Sequence, residues 1–566
     1  MKKKHLLALL FTAVLLAVTS VSAQVAPDAG TLRQEIEKQR AAVEPKKAAP
    51  AEISSATASS PSVTTSASVT VTSFVFNGNK LLSEKELSAA LVGFLNKPLG
   101  FAELQTAAVT VAETYRRAGW IVRAYLPLQD VSNGTVTINI IEAVFGETRF
   151  DGDPPERISF ERLESMVAAQ QEADGPLNAA RLDRALLLIS DLPGFTTSAN
   201  LAVGKHERET DLVLKIHDDS LFSGELTVDN TGSRFTGENR VTGTLFGNSL
   251  FHIGDQLSTT LLHAQGVNYG QLTATAPLGY SGWRLGPHVS YLKYDLIASE
   301  FAALDIQGTS TAMGLDATYP LIRARAKNLY FSFTYDNARF NNEANNVITT
   351  HYKVTTLEAG LKGHRFDNFF GGGINAAALT FTSGKVDLND SPNKLTDAAT
   401  TQVNGGFNKL RYFASRQQHL TDYISLYVGV SGQLTNRNLD SSEKFYLGGA
   451  SSVRAYPASE AGGDQGVLAN VEARMRLPHS FSVTGFYDRG QITVNRNNNF
   501  LGEATLNSYS LQGAGLSVGW VSDFPLSIKA TVARRIGNNP RATANGNDQD
   551  GTLKKTRFWL QASMSF

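Results

Sequence analysis

The chain has 566 residues, enough for more than one domain, and 52 basic against 52 acidic side chains give it a formal net charge of zero. Zero net charge argues against nucleic acid as a partner, and the 18% of charged residues falls below the roughly 25% of ordinary soluble domains, as suits a surface turned largely to lipid. Cysteine is absent, which excludes a disulfide framework, a thiol nucleophile and a Cys-based metal site.

Lys2, Lys3 and Lys4 precede an apolar run from Leu6 to Val18, and Val21-Ser22-Ala23 offers a cleavage site before Gln24. Residues 1–23 are read as a secretory signal peptide, because the run is shorter than the roughly 18–20 residues of a spanning helix. No later apolar run is that long. A mature chain in a membrane must therefore cross it as a closed barrel, since only helices and barrels satisfy their backbone groups in lipid.

Residues 24–45 hold a polar helix. Thr31-Leu32-Arg33-Gln34 reads as its capping box and Pro45 as its stop. Leu32, Ile36 and Val43 are its only large apolar residues, so no core-facing stripe is expected and the helix belongs in water or a polar cavity. Residues 46–69, rich in Ala, Ser, Thr and Pro, form a linker. At about 3.3 Å per residue its stretch from Lys46 to Ser68 reaches roughly 75 Å.

From Thr70 the pattern is compact α+β. Phe74 to Phe76 is a short strand, and Ser83-Glu84-Lys85-Glu86 opens a helix with a capping box. A second helix spans about Phe101 to Ala118 and stops at Gly119. Strands follow at Ile121 to Leu126 and Val136 to Ile141, joined through Asn133-Gly134. The order β-α-α-β-β recurs at once: a strand at Thr148 to Phe150, helices near Phe160 to Ala169 and around Leu182 to Ile189, and strands at Thr197 to Val203 and Asp211 to Ile216. Two tandem copies of one unit, over 70–145 and 146–217, organise this half of the chain.

Beyond His217 the helical period gives way to two-residue alternation, as in Leu329, Phe331, Phe333 and Tyr335, in Ile424, Leu426, Val428 and Val430, and in Phe558, Leu560, Ala562, Met564 and Phe566 at the end. A soluble sandwich shares this alternation. About 350 residues of it, with the small or polar face turned one way, favour a transmembrane β-barrel over 218–566. At roughly 10 residues per spanning strand plus loops, the region holds something like 14 to 18 strands around a wet lumen. No P-loop, H-E-x-x-H or G-x-S-x-G element appears and the ten histidines are scattered. No catalytic residue, metal ligand, cofactor or nucleotide site is assigned, and an enzyme is the least favoured class.

Several further stretches carry a resemblance. The first module, through Tyr115-Arg116-Arg117-Ala118-Gly119-Trp120 and Leu126-Pro127-Leu128-Gln129-Asp130, looks like a POTRA domain. The first barrel hairpin has Asp229-Asn230-Thr231-Gly232, Thr236-Gly237 and Arg240, and Phe445-Tyr446-Leu447-Gly448-Gly449 is followed by Val453-Arg454-Ala455-Tyr456. With these the whole chain resembles the TpsB transporters of two-partner secretion, the haemolysin and filamentous-haemagglutinin exporters. The resemblance implies two periplasmic POTRA domains before an outer-membrane barrel of sixteen strands. It also implies a secreted partner exoprotein, bound in extended form along a POTRA sheet edge and exported through the pore. A barrel-assembly insertase or lipid-handling relative of the same superfamily is the alternative; such proteins usually carry more POTRA modules and lack the mobile N-terminal helix.

The family places a Val-Arg-Gly-(Tyr/Phe) element on a long extracellular loop that folds back into the pore. Here Val453, Arg454 and Tyr456 match it and Ala455 replaces its glycine. A second element, on a barrel strand, is matched by Phe486, Asp488 and Gly490. The resemblance implies that Arg454 meets Asp488 at the inner barrel wall. By residue type alone, without the flanking motif, the favoured reading is Arg454 as a solvated loop residue and Asp488 as a lumen-lining carboxylate. The helix of residues 24–45 would, by the same resemblance, occupy the pore at rest, whereas a disordered periplasmic segment would have a similar sequence.

Overall fold

The structure, a computed structural model, describes residues 26–41, 54–55, 68–153, 155–172 and 175–566. The leader expected over 1–23 and most of the linker expected over 46–69 lie outside those residues.

Helix α1 covers Ala29–Ala41. It starts two residues before Thr31 because Asp28 caps it, its Oδ1 accepting from Thr31 N at 2.8 Å. The first α+β module then runs β1 (Ser73–Asn77), α2 (Glu84–Ala90), α3 (Phe101–Arg117), β2 (Val122–Tyr125) and β3 (Thr135–Glu142). The capping box on α2 is present, with Ser83 Oγ accepting from Glu86 N and Glu86 Oε2 accepting from Ser83 N at 2.9 Å. The central strand β3 pairs with β1 in parallel and β2 antiparallel. Behind the sheet, Leu87, Leu91, Ala108, Val111 and Tyr115 are buried with Phe76, Ile138 and Ile140. Glu142 closes this core: its Oε1 accepts from the backbone N of Lys80 and Leu81 and from the Tyr115 hydroxyl. Burial, and then the adjacent Glu142, push the Tyr115 phenol well above its usual range.

The second module repeats the order with β4 (Val144–Phe150), α4 (Phe160–Ala168), α5 (Ala179–Ser190), β5 (Phe195–Val203) and β6 (Glu209–Asp218). Ser54–Ser55 pair in parallel with β5, at its outer edge. This module docks on the barrel's near rim through α5, where Arg323 makes two bonds of 2.8 Å to Asp191 and Arg184 donates to the Pro320 carbonyl at 2.8 Å.

Among the described residues sixteen antiparallel strands, from β7 (Phe222–Asp229) to β22 (Thr556–Ser565), close into a barrel. The strands used below are β11 (Trp283–Asp295), β12 (Ile306–Arg323), β13 (Lys327–Ala344), β16 (Gly405–His419), β17 (Ile424–Thr435), β18 (Gln465–Arg476), β19 (Phe481–Thr493), β20 (Ser508–Val521) and β21 (Leu526–Arg535). β7 joins β22 over five pairs, Glu225↔Ser565 to Asp229↔Gln561. The alternation works as the sequence suggests. Phe333, Tyr335, Val428, Val430, Val532, Phe558 and Leu560 are exposed on the outside, while their alternates Thr334, Ser431, Thr531 and Trp559 face the lumen.

Candidate functional site

Among the described residues the lumen holds two pieces of chain, a long loop and the N-terminal helix. The loop spans residues 436–464 between β17 and β18. Its base is tied to the wall by Lys409 of β16, which forms a buried ion pair with Glu443. Gln433 Nε2 adds bonds to the carbonyls of Glu443 (2.9 Å) and Asp464 (3.1 Å). Phe445–Leu447 and Ala461–Gly463 then pair as a two-stranded ribbon. The chain turns through Gly448 and Gly449, both at positive φ, and a Cβ on Gly448 would lie 2.2 Å from the Pro457 carbonyl oxygen, so only glycine fits there.

Beyond that turn the tip returns to the wall. Val453, Ala455 and Tyr456 are fully buried, and Arg454 reaches Asp488 of β19. Its Nε is 2.8 Å from Oδ2, its Nη2 is 2.6 Å from Oδ1, and its backbone N is 3.1 Å from Oδ2. Its Nη1 meets Glu472 of β18 at 2.9 Å, and the guanidinium lies 3.5 Å from the centroid of the Phe486 ring. Asn470 Nδ2 donates to Asp488 at 2.8 Å, and Trp559 Nε1 donates to the Arg454 carbonyl at 2.8 Å. The planar fork matches the carboxylate two-to-two, a geometry that lysine cannot reproduce. Asp488 is fully buried and Arg454 only 6% exposed, so each charge depends on the other.

Space for this contact comes from missing side chains. A Cβ on Gly490 would lie 2.5 Å from Leu447, one on Gly513 2.4 Å from the Ala455 methyl, and one on Gly515 2.6 Å from Phe486. Gly513 and Gly515 stand opposite Asp488 and Phe486 in the β19–β20 register. Ala455, at the family's glycine position, keeps an ordinary negative φ; its methyl is accommodated by the bare Gly513 backbone. The hairpin residues noted in the sequence form a smaller site: Arg240 donates to Asp229 Oδ1 at 3.0 and 2.8 Å, and Thr231 N donates to it at 2.8 Å.

Glu472, Asn470, Trp559, Gly513, Gly515 and Lys409 complete the site and were not singled out from sequence. Two signals were there to be read. Trp559 is the one large ring on the small, polar face of the last strand, and Gly513 and Gly515 fall two apart on one face of a strand.

Helix α1 lies in the lumen between this loop and the wall. Ala29 N donates to Asn342 Oδ1 at 3.0 Å, and Arg33 Nη2 donates to Asp336 Oδ2 at 2.5 Å, both on β13. On its other side Gln34 Nε2 donates to the Lys444 carbonyl at 2.6 Å, Ser459 Oγ donates to Glu35 at 3.1 Å, and the Thr31 and Tyr446 hydroxyls are 3.0 Å apart. The expectation of a helix without an apolar face is corrected. Ala29, Leu32 and Ile36 are buried in one cluster with Phe235, Leu262, Tyr294, Phe340 and Tyr352. The inner wall carries an apolar patch at this level, so a narrow stripe of three residues suffices. At about 1.5–3 kcal/mol for a fully buried aliphatic side chain, Leu32 and Ile36 hold the helix as firmly as its polar contacts do.

Residues 208–521 match the family described as haemolysin secretion/activation protein ShlB/FhaC/HecB. The chain belongs to this family. Residues 69–143, the first module, match the ShlB-type POTRA domain. The heme/hemopexin transporter protein HuxB of Haemophilus influenzae is 28% identical over 561 residues, 97% of this chain and 96% of that protein. The outer membrane transporter CdiB of Dickeya dadantii is 24% identical over 408 residues, 70% of each chain. In fold, the chain is similar to the solved structure of CdiB from Escherichia coli, with a TM-score of 0.68 at 20% identity, over 96% of this chain and all of that one. This member of the ShlB/FhaC/HecB family is thus an outer-membrane β-barrel transporter with its POTRA modules in the periplasm. That orientation puts the rim on which α5 docks at the periplasmic face and the 436–464 loop at the extracellular one.

Proposed function

We propose that this chain exports one secreted partner polypeptide through its barrel to the cell surface, taking it up in extended form in the periplasm. The observation that carries this is a wide barrel whose lumen is filled by two pieces of chain, helix α1 and the 436–464 loop, rather than by its own wall side chains. A channel for small solutes has no need of a tethered helix, a loop locked to the wall, or a pair of α+β modules at its mouth.

In this scheme residues 70–145 and 146–217 are the recognition arm and 218–566 the conduit. An unfolded segment adds as a strand to a module's sheet edge, where main-chain hydrogen bonds give affinity without demanding a particular side chain. Helix α1 is the resting plug, and the linker of residues 46–69 lets it withdraw without leaving the molecule. Arg454 and Asp488, with Val453, Tyr456, Phe486 and Gly490 around them, hold the loop in register against the wall while the partner passes. The outer surface of the barrel is solvated by outer-membrane lipid. Export by this route uses no bound nucleotide; folding of the partner outside supplies a direction. The test is to delete the gene and catalogue the culture supernatant. Loss of one large secreted protein, restored by the intact gene, is the expected result; an unchanged supernatant would refute the proposal.

A further inference from the structure

The outer wall carries a group of cations that nothing above uses. β14 (Val347–Asp367) and β15 (Gly373–Asp387) follow β13 around the barrel. Arg339 of β13 stands directly opposite Lys353 of β14. Lys385 of β15 pairs with Thr355, one diagonal step from Lys353, and only β12 separates Lys293 of β11 from Arg339. Their chain neighbours fix which way they point. Tyr294, Phe340, Tyr352 and Val386 are buried in the cluster that receives α1. One residue along each strand, Lys293, Arg339, Lys353 and Lys385 therefore turn outward, and all four are exposed.

Like charges directly opposite on paired strands repel, so Arg339 and Lys353 weaken the wall unless an anion comes to them. Among the described residues none of the four cations takes part in an ion pair. One carboxylate shares their rung, Asp387, opposite Lys353 on its other side; its Oδ1 is occupied by the backbone N of Asn389 at 3.0 Å. Height is the second observation. Through Thr355 and Asn337, Lys385 shares its rung with Met313 and Val289, both exposed and apolar, and below them Tyr335, Leu357 and Phe381 are exposed as well. Toward the extracellular side the next outward rung is polar, Thr309, Asn341 and His351. The upper edge of the apolar belt thus runs through the cluster. At about 3.3 Å per residue, Arg339 and Lys353 stand roughly 13 Å along the strand from Tyr335 and Leu357, and less than that in height because barrel strands tilt.

Basic side chains at the end of an apolar surface are placed for an anionic lipid headgroup. The arginine fork suits phosphate, which accepts two parallel bonds, and lysines add point charges on flexible stems. We propose that Arg339, Lys353 and Lys385, with Lys293 at the flank, bind the phosphates of an outer-leaflet glycolipid whose acyl chains lie down the belt. A headgroup seated there clips β13 to β14 on the outside of the wall. The inner face of the same two strands carries the stacked Phe340 and Tyr352 rings, 5.0 Å between centroids, against which α1 packs. The lipid therefore stiffens the seat of α1 from behind, whatever the barrel carries.

The test titrates the full-length protein in detergent with lipid A, a phosphorylated glucosamine disaccharide with acyl chains, and reads bound lipid by native mass spectrometry. The wild type should bind it on the order of tenfold more tightly than the same lipid stripped of its phosphates. Arg339→Gln with Lys353→Gln should weaken binding on the order of tenfold or more, the loss of two charge-assisted contacts. Lys385→Gln alone should weaken it by a smaller factor and serves if the double variant gives no heat-modifiable band. Lys327 and Arg365 stand opposite each other at the periplasmic end of the same two strands. Lys327→Gln with Arg365→Gln removes the same charge from the other rim and should bind lipid as the wild type does. Equal loss in both double variants would mean diffuse charge rather than a site, and undiminished binding after the substitutions at 339, 353 and 385 would refute the site itself. Inorganic pyrophosphate at the lipid's own concentration should leave the lipid bound; displacement would reassign the cluster to a free phosphate ligand and overturn the lipid reading.

Discussion

Replacing Arg454 by alanine tests the loop lock most directly. The substitution removes two guanidinium bonds to Asp488, the contact with Glu472 and the stacking on Phe486. Asp488 is left fully buried, with Asn470 Nδ2 and the backbone N of residue 454 as its remaining donors. Breaking one side of a buried, hydrogen-bonded pair costs about 3–5 kcal/mol. At about 1.4 kcal/mol per factor of ten, the ratio of locked to unlocked loop falls by a hundredfold to a few thousandfold. The sixteen-strand ladder does not depend on this contact, so the barrel should still assemble, shown by a heat-modifiable band in outer-membrane fractions. Export, measured as partner in the culture supernatant, should be abolished. Arg454→Lys should fall between, keeping the charge but losing the two-to-two match. An Arg454→Ala protein that assembles and exports normally would remove the loop from the mechanism.

Gly513→Ala should unseat the same tip by steric means, since its Cβ would sit 2.4 Å from the Ala455 methyl. Adding Ala455→Gly should restore export, and failure of that rescue would show that the clash lies elsewhere. Lys409→Ala strands Glu443 at the base of the loop and should make the 436–464 segment sensitive to added protease in intact cells while leaving the barrel resistant; equal sensitivity to wild type would contradict the anchoring role. Glu142→Ala removes the acceptor of two backbone N–H groups and one hydroxyl. It should destabilise the first module by about 1–3 kcal/mol per unsatisfied group, seen as accelerated proteolysis of that module alone, and unchanged protease resistance would argue against it.

Most of the architecture was legible because two periods differ so plainly. The helix over about Phe101 to Ala118, the Ser83 capping box and the strict alternation after His217 each have one satisfactory local answer, and the structure adopts it. The lock was legible only in part. Val453-Arg454-Ala455-Tyr456 and Asp488 lie on separate elements, and nothing local in either pairs them; the resemblance did. Glu472 and Asn470 join through the register of β18 on its neighbour β19 and Trp559 from the non-adjacent β22, and alternation within a strand specifies neither. Helix α1 was misjudged for a related reason. Three small or aliphatic residues make a poor core-facing stripe in water, but against Phe235, Tyr294 and Phe340 the partner surface supplies the rest.

The loop is bolted at two heights, by Lys409 at its base and Arg454 at its tip, so in the scheme proposed above the piece that gives way is α1. A helix with its side chains is about 10–12 Å across, and its departure would open a bore of that calibre. Such an aperture admits a single extended strand or one bare helix but rejects any domain with a core. In that scheme the partner must be kept from collapsing before it arrives, and once folded outside it could not be drawn back.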